Sequence, residues 1–217
     1  MHHPRAIGLI CLLLLPCAGC QLAGLGAAVL SQQTIDPSYK GLTKQTVAIM
    51  IWIDRGTRID WPNLQIDTAY SLQKKLQSAI DAKTPELDGV TFIDPPTVVR
   101  FQEDHPELEG RPITEIAPML GASRVIYIEV SEFSTRPVQS IELYRGSMAG
   151  ALKVVEISGG HATIGYTENQ ISIASPKGIP DSGRPDLNEN KLYLMTIDDF
   201  TTAVAIRFVP HHEEDQQ

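Results

Sequence analysis

The stretch Thr46-Val47-Ala48-Ile49-Met50-Ile51-Trp52-Ile53 is a near-continuous apolar run, rich in β-branched residues and closed by Asp54-Arg55-Gly56. It lacks the polar/apolar alternation of a strand with one wet face. It therefore reads as a central strand, covered on both faces and belonging to a sheet with helices packed on it. Downstream, Ile66, Ala69, Leu72, Leu76, Ala79 and Ile80 recur at helical spacing, with Gln73, Lys74, Lys75 and Gln77 between them. That spacing predicts a helix that lays one apolar stripe on the sheet.

Working outward, Val90 to Ile93 reads as a short strand, and Asp94-Pro95-Pro96-Thr97 starts a helix carrying Val98, Val99 and Phe101. Proline suits the first helical turn, where its missing donor costs little. The segment from Pro112 to Gly121 reads as a short helix closed by glycine; Pro118 requires it to begin near Thr114. Ser123 to Phe133 is a long strand, in which Val125, Tyr127 and Glu129 alternate with Ile126, Ile128 and Val130. One of its faces is fully buried and the other only partly covered. Ser147 to Ile157 and Ala162 to Ala174 form a hairpin across Ser158-Gly159-Gly160-His161. Ser175 to Asn190 is an exposed loop, and Ile197, Phe200, Val204 and Phe208 mark a last helix. The order defines an α/β fold, a mixed β-sheet packed with helices in one compact domain over 46–209.

The 217 residues carry a formal charge of -8, with 42% hydrophobic and 20% charged residues. An acidic chain of this kind does not suit the neutralisation of phosphates, so no nucleic-acid partner is expected. The three cysteines, Cys11, Cys17 and Cys20, all stand in the opening segment, which leaves the domain without a disulfide. That segment begins with His2, His3, Pro4 and Arg5, continues as an apolar run from Ala6 to Leu15, and ends in Pro16-Cys17-Ala18-Gly19-Cys20. This is the three-part layout of a secretory signal. The run is too short to cross a bilayer, which takes about 20 apolar residues.

Ala18-Gly19-Cys20 after a leucine run resembles the lipobox of bacterial lipoproteins, with Cys17 where leucine is usual. The resemblance implies a signal peptide over 1–19 and a lipid on Cys20. Acyl chains would then hold the protein to a leaflet. Gln21 in the next position implies, by the same resemblance, the periplasmic face of the outer membrane. A plain secretory signal cut nearby and an uncleaved anchor running on to Leu30 are the alternatives. Residues 20–45, with Gly, Ala, Ser, Gln and Thr and no periodicity, read as a lipidated tether, and 210–217 as an acidic disordered tail.

The succession of Val47 to Ile53, an amphipathic helix, Phe92-Ile93-Asp94, and Leu120-Gly121-Ala122 ahead of Val125 to Val130 also carries a resemblance. It is similar to a group of envelope lipoproteins that includes the CsgG curli-secretion family, the LpoB synthase activator and the TolB N-terminal domain. This resemblance spans Thr46 to Ile157 and implies an anticodon-binding-domain-like α/β fold. It supplies no catalytic residue, and fold alone does not transfer function.

No phosphate-cradling glycine loop, zinc-protease helix or nucleophile elbow occurs in the sequence, so neither a catalytic residue nor a cofactor is expected. His211 and His212 beside Glu213, Glu214 and Asp215 read as a solvated tail, His105 as part of an acidic loop and His161 as a turn residue. No metal is expected. Asp198 and Asp199 are adjacent and point about 100° apart on a helix, which does not suit a shared acid/base role. Asp54, Arg55, Arg58 and Trp61 follow the first strand, at the edge where ligands often bind in such sheets, and form the candidate interaction loop. The leading expectation is a non-enzymatic, membrane-anchored envelope lipoprotein that binds an envelope protein partner or forms a homo-oligomer. A secretion-pore subunit of the curli-channel type is one alternative; a small-ligand receptor or enzyme using the Asp54 to Arg58 loop is the other.

Overall fold

The computed structural model describes residues 34–137 and 142–212. The signal segment and Cys20 lie outside the described residues. The strands are Thr34–Ile35 (β1), Thr46–Ile53 (β2), Thr91–Phe92 (β3), Arg124–Ser134 (β4), Gly146–Ser158 (β5), His161–Ser175 (β6) and His211–His212 (β7). The helices are Arg55–Asp60 (α1), Leu64–Asp81 (α2), Pro95–Asp104 (α3), Ile113–Ile116 (α4) and Glu189–Ala205 (α5). Five strands form a mixed sheet in the order β3-β2-β4-β5-β6. β2 runs parallel to β3 and β4, whereas β4, β5 and β6 are antiparallel in turn. Parallel neighbours need long crossovers, and α2 and α3–α4 supply them.

β2 is covered on both sides. Val47, Ile49, Ile51 and Ile53 join Ile126, Ile128, Leu152 and Val154 in a core roofed by α2 and α5, through Leu72, Leu76, Phe200 and Val204. On the opposite face, Ala48 and Met50 join Val125 and Val155 beneath Val98, Leu108, Ile113 and Ile116. The missing alternation in β2 is the direct consequence of this double coverage. The register of β4 on β5 slips between Val130 and Glu132. Because of this bulge, Val130 and Phe133 reach the same core although they are three residues apart.

The expected α/β fold with a mixed sheet and packed helices is present, as is the hairpin. Its turn places Gly159 at φ 57° and Gly160 at φ 82°, the left-handed pair that a tight two-residue connection requires. Pro118 is accommodated because α4 is a single turn, continued by a 3-10 segment Ala117–Leu120 with Pro118 near its start; Gly121 then closes it at φ 69°.

The domain boundaries differ from those expected. The chain is part of the domain from Thr34 onward, because β1 pairs with β7, Tyr39 and Leu42 are buried, and His211 is buried as well. The Tyr39 ring meets Phe208 edge-on at 6.2 Å, and its hydroxyl donates to Glu156 Oε1 at 2.7 Å. Residues 34–45 and 210–212, expected in the tether and the tail, therefore pack with the domain. These contacts are made by isolated large side chains, not by a repeating stripe, so periodicity had nothing to report.

Candidate functional site

Of the five residues singled out in the sequence, Cys20 lies outside the described residues. The other four do not converge. Asp54 to Arg58 is not a loop: Asp54 is the N-cap of α1, a helix of 6 residues. Asp54 Oδ1 accepts from the amides of Gly56 at 2.8 Å and Thr57 at 3.1 Å, and Oδ2 accepts from the Thr57 hydroxyl at 2.5 Å. These bonds, the Thr57 hydroxyl foremost, hold its carboxyl below the usual aspartate range. Its acceptors are thus occupied in starting a helix. Arg55 is exposed on α1.

Trp61 turns its ring toward the core. Its ring stacks on Tyr193 at 5.4 Å and meets Phe133 edge-on at 5.1 Å, as part of the core roofed by α2 and α5. Only Arg58 turns toward a cavity, donating on its way to the Ile53 carbonyl at 3.2 Å and to Glu109 at 3.4 Å.

That cavity, about 480 Å³, lies over the half of the sheet that the short helices α3 and α4 leave uncovered. Its size is that of a small-ligand pocket. The floor is one face of three strands: Met50 and Trp52 of β2, Tyr127 and Glu129 of β4, and Lys153 of β5. Met50, Tyr127 and Lys153 stand side by side in the register, and Trp52 stands beside Glu129 on the next same-face rung. Apolar walls come from Phe101, Leu108 and Ile113. Trp52, expected to be buried with the rest of β2, is half-buried and borders this space, because the crossover segment stops short of it.

The back of the cavity is built by two glutamines. β3 pairs with β2 only at Thr46 and Val47, so the upper half of that edge of β2 has no strand beside it. There the Ile51 carbonyl accepts from Gln65 Nε2 at 2.9 Å and Gln102 Nε2 at 3.0 Å, and Gln65 also donates to Gln102 Oε1 at 2.8 Å. The pair satisfies a backbone group that a longer strand would have bonded, and this fixes α2 and α3 at the cavity's edge.

Polar heads on the floor remain free to act. Among the described residues, the side chains of Trp52, Tyr127, Glu129 and Lys153 have no hydrogen bond or ion pair; Lys153 Nζ lies 6.0 Å from the centre of the Tyr127 ring. Burial, with the Glu129 charge adding to it, pushes the Tyr127 phenol well above the usual tyrosine range, so it stays a donor even in alkaline solution. The signal for this site was present in β4 and β5, as charges on the partly covered face of otherwise apolar strands. The partner strand of each was what remained to be found.

The other candidate groups are dispersed. Asp198 pairs with Lys75 at 2.7 Å, and Asp199 accepts from Ser175 at 2.6 Å, so the adjacent carboxylates serve separate partners. His105 stacks on Phe101 and faces its carbonyl through Nδ1 at 2.9 Å. Among the described residues no three His, Cys, Asp or Glu side chains gather as a metal site, and no helix is long and apolar enough to cross a membrane.

No family model and no curated protein matches the chain. Solved structures that align with it include the PelC dodecamer from Paraburkholderia phytofirmans, at 8% identity and TM-score 0.42, covering 82% of this chain and 97% of that one. The hypothetical protein CT253 from Chlamydia trachomatis aligns at 17% identity and TM-score 0.36, covering 74% of this chain and 99% of that one. Lipoprotein GNA1162 from Neisseria meningitidis aligns at 12% identity and TM-score 0.39, covering 68% of this chain and 89% of that one.

Proposed function

We propose that this protein is a non-enzymatic lipoprotein of the bacterial cell envelope, held to the periplasmic face of the outer membrane through Cys20, whose α/β domain binds another envelope protein or further copies of itself. The likeness read in the sequence to the CsgG, LpoB and TolB N-terminal-domain group belongs to the same proposal. The observation that carries the binding role is β6. Among the described residues it is a terminal strand of 15 residues, paired on one side only, and it displays Ile164 at 43% exposure. An edge of that length offers a row of backbone donors and acceptors to an incoming strand, and an outward isoleucine gives the contact an apolar anchor.

The test has two arms. Mass spectrometry of protein from the envelope fraction should find acyl chains on Cys20, and C20S should release the protein from membranes. Cross-linking in intact cells should recover a defined oligomer or envelope partner, and I164K should abolish that product without loss of folded protein. An unmodified thiol on cytosolic protein would refute the anchoring. A solitary monomer under every cross-linking condition would refute the binding role.

A further inference from the structure

The cavity over β2, β4 and β5 presents opposite charges that do not neutralise each other. Glu129 and Lys153 both face it, yet no ion pair joins them. They stand on adjacent strands and on successive same-face rungs: Lys153 is opposite Tyr127, whereas Glu129 is opposite Trp52 and Ala151. Same-face rungs are about 6.6 Å apart. The two heads therefore border one cavity of about 480 Å³ without pairing with each other. A purely anionic ligand would meet Lys153 and the Tyr127 hydroxyl but would lie against the Glu129 carboxylate. A purely cationic one would have the reverse difficulty. Only a ligand with both charges satisfies both heads at once; Arg58, Glu103, Glu109 and Arg111 also line the cavity, and the apolar side chains of Met50, Phe101 and Ile113 beside the two heads strengthen each attraction.

We propose that this cavity binds a small zwitterion with an apolar side chain, a free amino acid or a dipeptide. The carboxylate is held by Lys153 Nζ and the Tyr127 hydroxyl, the ammonium by Glu129, and the side chain by Trp52, Phe101 and Met50. Charge-assisted bonds of this kind are the stronger class of hydrogen bond, and the aromatic wall supplies contact area at little entropic cost. The inference stands on the cavity alone and does not depend on the lipid anchor or on β6.

The chain contains two tryptophans, so the full-length protein in mild detergent, carrying W61F, reports on Trp52 by its fluorescence. Titration to about 10 mM, well above the millimolar dissociation constants of weak small-ligand sites, would use phenylalanine, alanyl-phenylalanine, N-acetylphenylalanine and phenylalanine amide. Saturable change is expected with phenylalanine or alanyl-phenylalanine, and which of the two binds tighter tells a free amino acid from a dipeptide. Blocking either end of the ligand should weaken binding by about tenfold or more, and K153M and E129Q should do the same. The absence of saturation with every compound would overturn the proposal. So would equal binding of the blocked compounds, a comparison that uses no variant of the two charged residues.

Discussion

Replacing Trp61 with alanine separates a core role from a recognition role. Truncating a fully buried tryptophan costs about 3–5 kcal/mol. Trp61 is only partly buried, at the foot of α1, which lowers that figure, but it loses two ring contacts at 5.1 and 5.4 Å. Such aromatic pairs contribute about 0.5–1.5 kcal/mol each beyond buried area. Together these terms put the loss near 3 kcal/mol.

With a urea slope of about 2 kcal/mol/M for a domain of this size, the unfolding midpoint of W61A should fall by about 1.5 M. The melting temperature should fall by about 6–12 °C. W61F, which keeps a ring between Phe133 and Tyr193, should recover more than half of the loss. Equilibrium urea denaturation followed by circular dichroism measures all three proteins. A midpoint within the ~0.5 kcal/mol scatter of surface substitutions would refute the placement of Trp61 in the core and return it to the list of surface anchors.

Three further outcomes are expected. Glu168 accepts from Arg207 Nε and Nη2, both at 2.7 Å, and from the Tyr166 hydroxyl at 2.9 Å, and the arginine holds its carboxyl below the usual glutamate range. That contribution is complete above the unfolded value of about 4.3 and fades as pH falls through the lower folded one, so E168Q should cost about 1–3 kcal/mol at pH 7 and progressively less as the pH is lowered below the unfolded value in parallel urea titrations. Burial, then the bond to Glu156, pushes the Tyr39 phenol up to about 12. Its stabilising part is whole below the unfolded value of about 10 and is lost between there and 12, so the alkaline limb of a pH–stability curve should be shallower in Y39F. At Gly150 a Cβ would stand 2.6 Å from the Glu129 carbonyl oxygen; G150V should destabilise the sheet by at least about 1–3 kcal/mol in thermal scans, and an unchanged melting point would contradict the β4–β5 approach.

What was legible in the sequence followed periodicity. β2 announced its double coverage by lacking alternation, α2 by its stripe, and the β5–β6 hairpin by Gly159-Gly160. The partial coverage of β4 was also legible, since Val125 is buried whereas Tyr127 and Glu129 are half-buried on the same face. Hidden were the features that need two distant segments. Trp61 read as a loop residue because its ring partners are Phe133 and Tyr193, each more than 70 positions away along the chain. Residues 34–45 read as tether because Tyr39 and Leu42 pack singly. The cavity required knowing that Lys153 stands beside Tyr127, a register that no local pattern encodes. Asp54 was correctly placed at a strand end but serves α1, since an aspartate before a helix is more economically a cap than a ligand.

The two binding roles proposed occupy different parts of one sheet, and this bears on whether they can coexist. The chain enters the domain at β1, and Tyr39 sits at the level of Arg124 and Glu156, the end at which β2 and β4 begin. The cavity floor lies toward their other end, from Met50 to Trp52 and from Tyr127 to Glu129. Were Cys20 the point of attachment, the residues between it and Thr34 would span at most about 50 Å when extended. Among the described residues the unpaired edge of β6 lies beyond β5, the last strand to contribute to that floor. A strand added along β6 would extend the sheet without covering Trp52 or Glu129, whereas a ligand seated on Lys153 would touch the neighbour of β6 and stiffen the strand against which the edge is paired. Assembly and ligand capture are thus compatible in space, and linked only through β5.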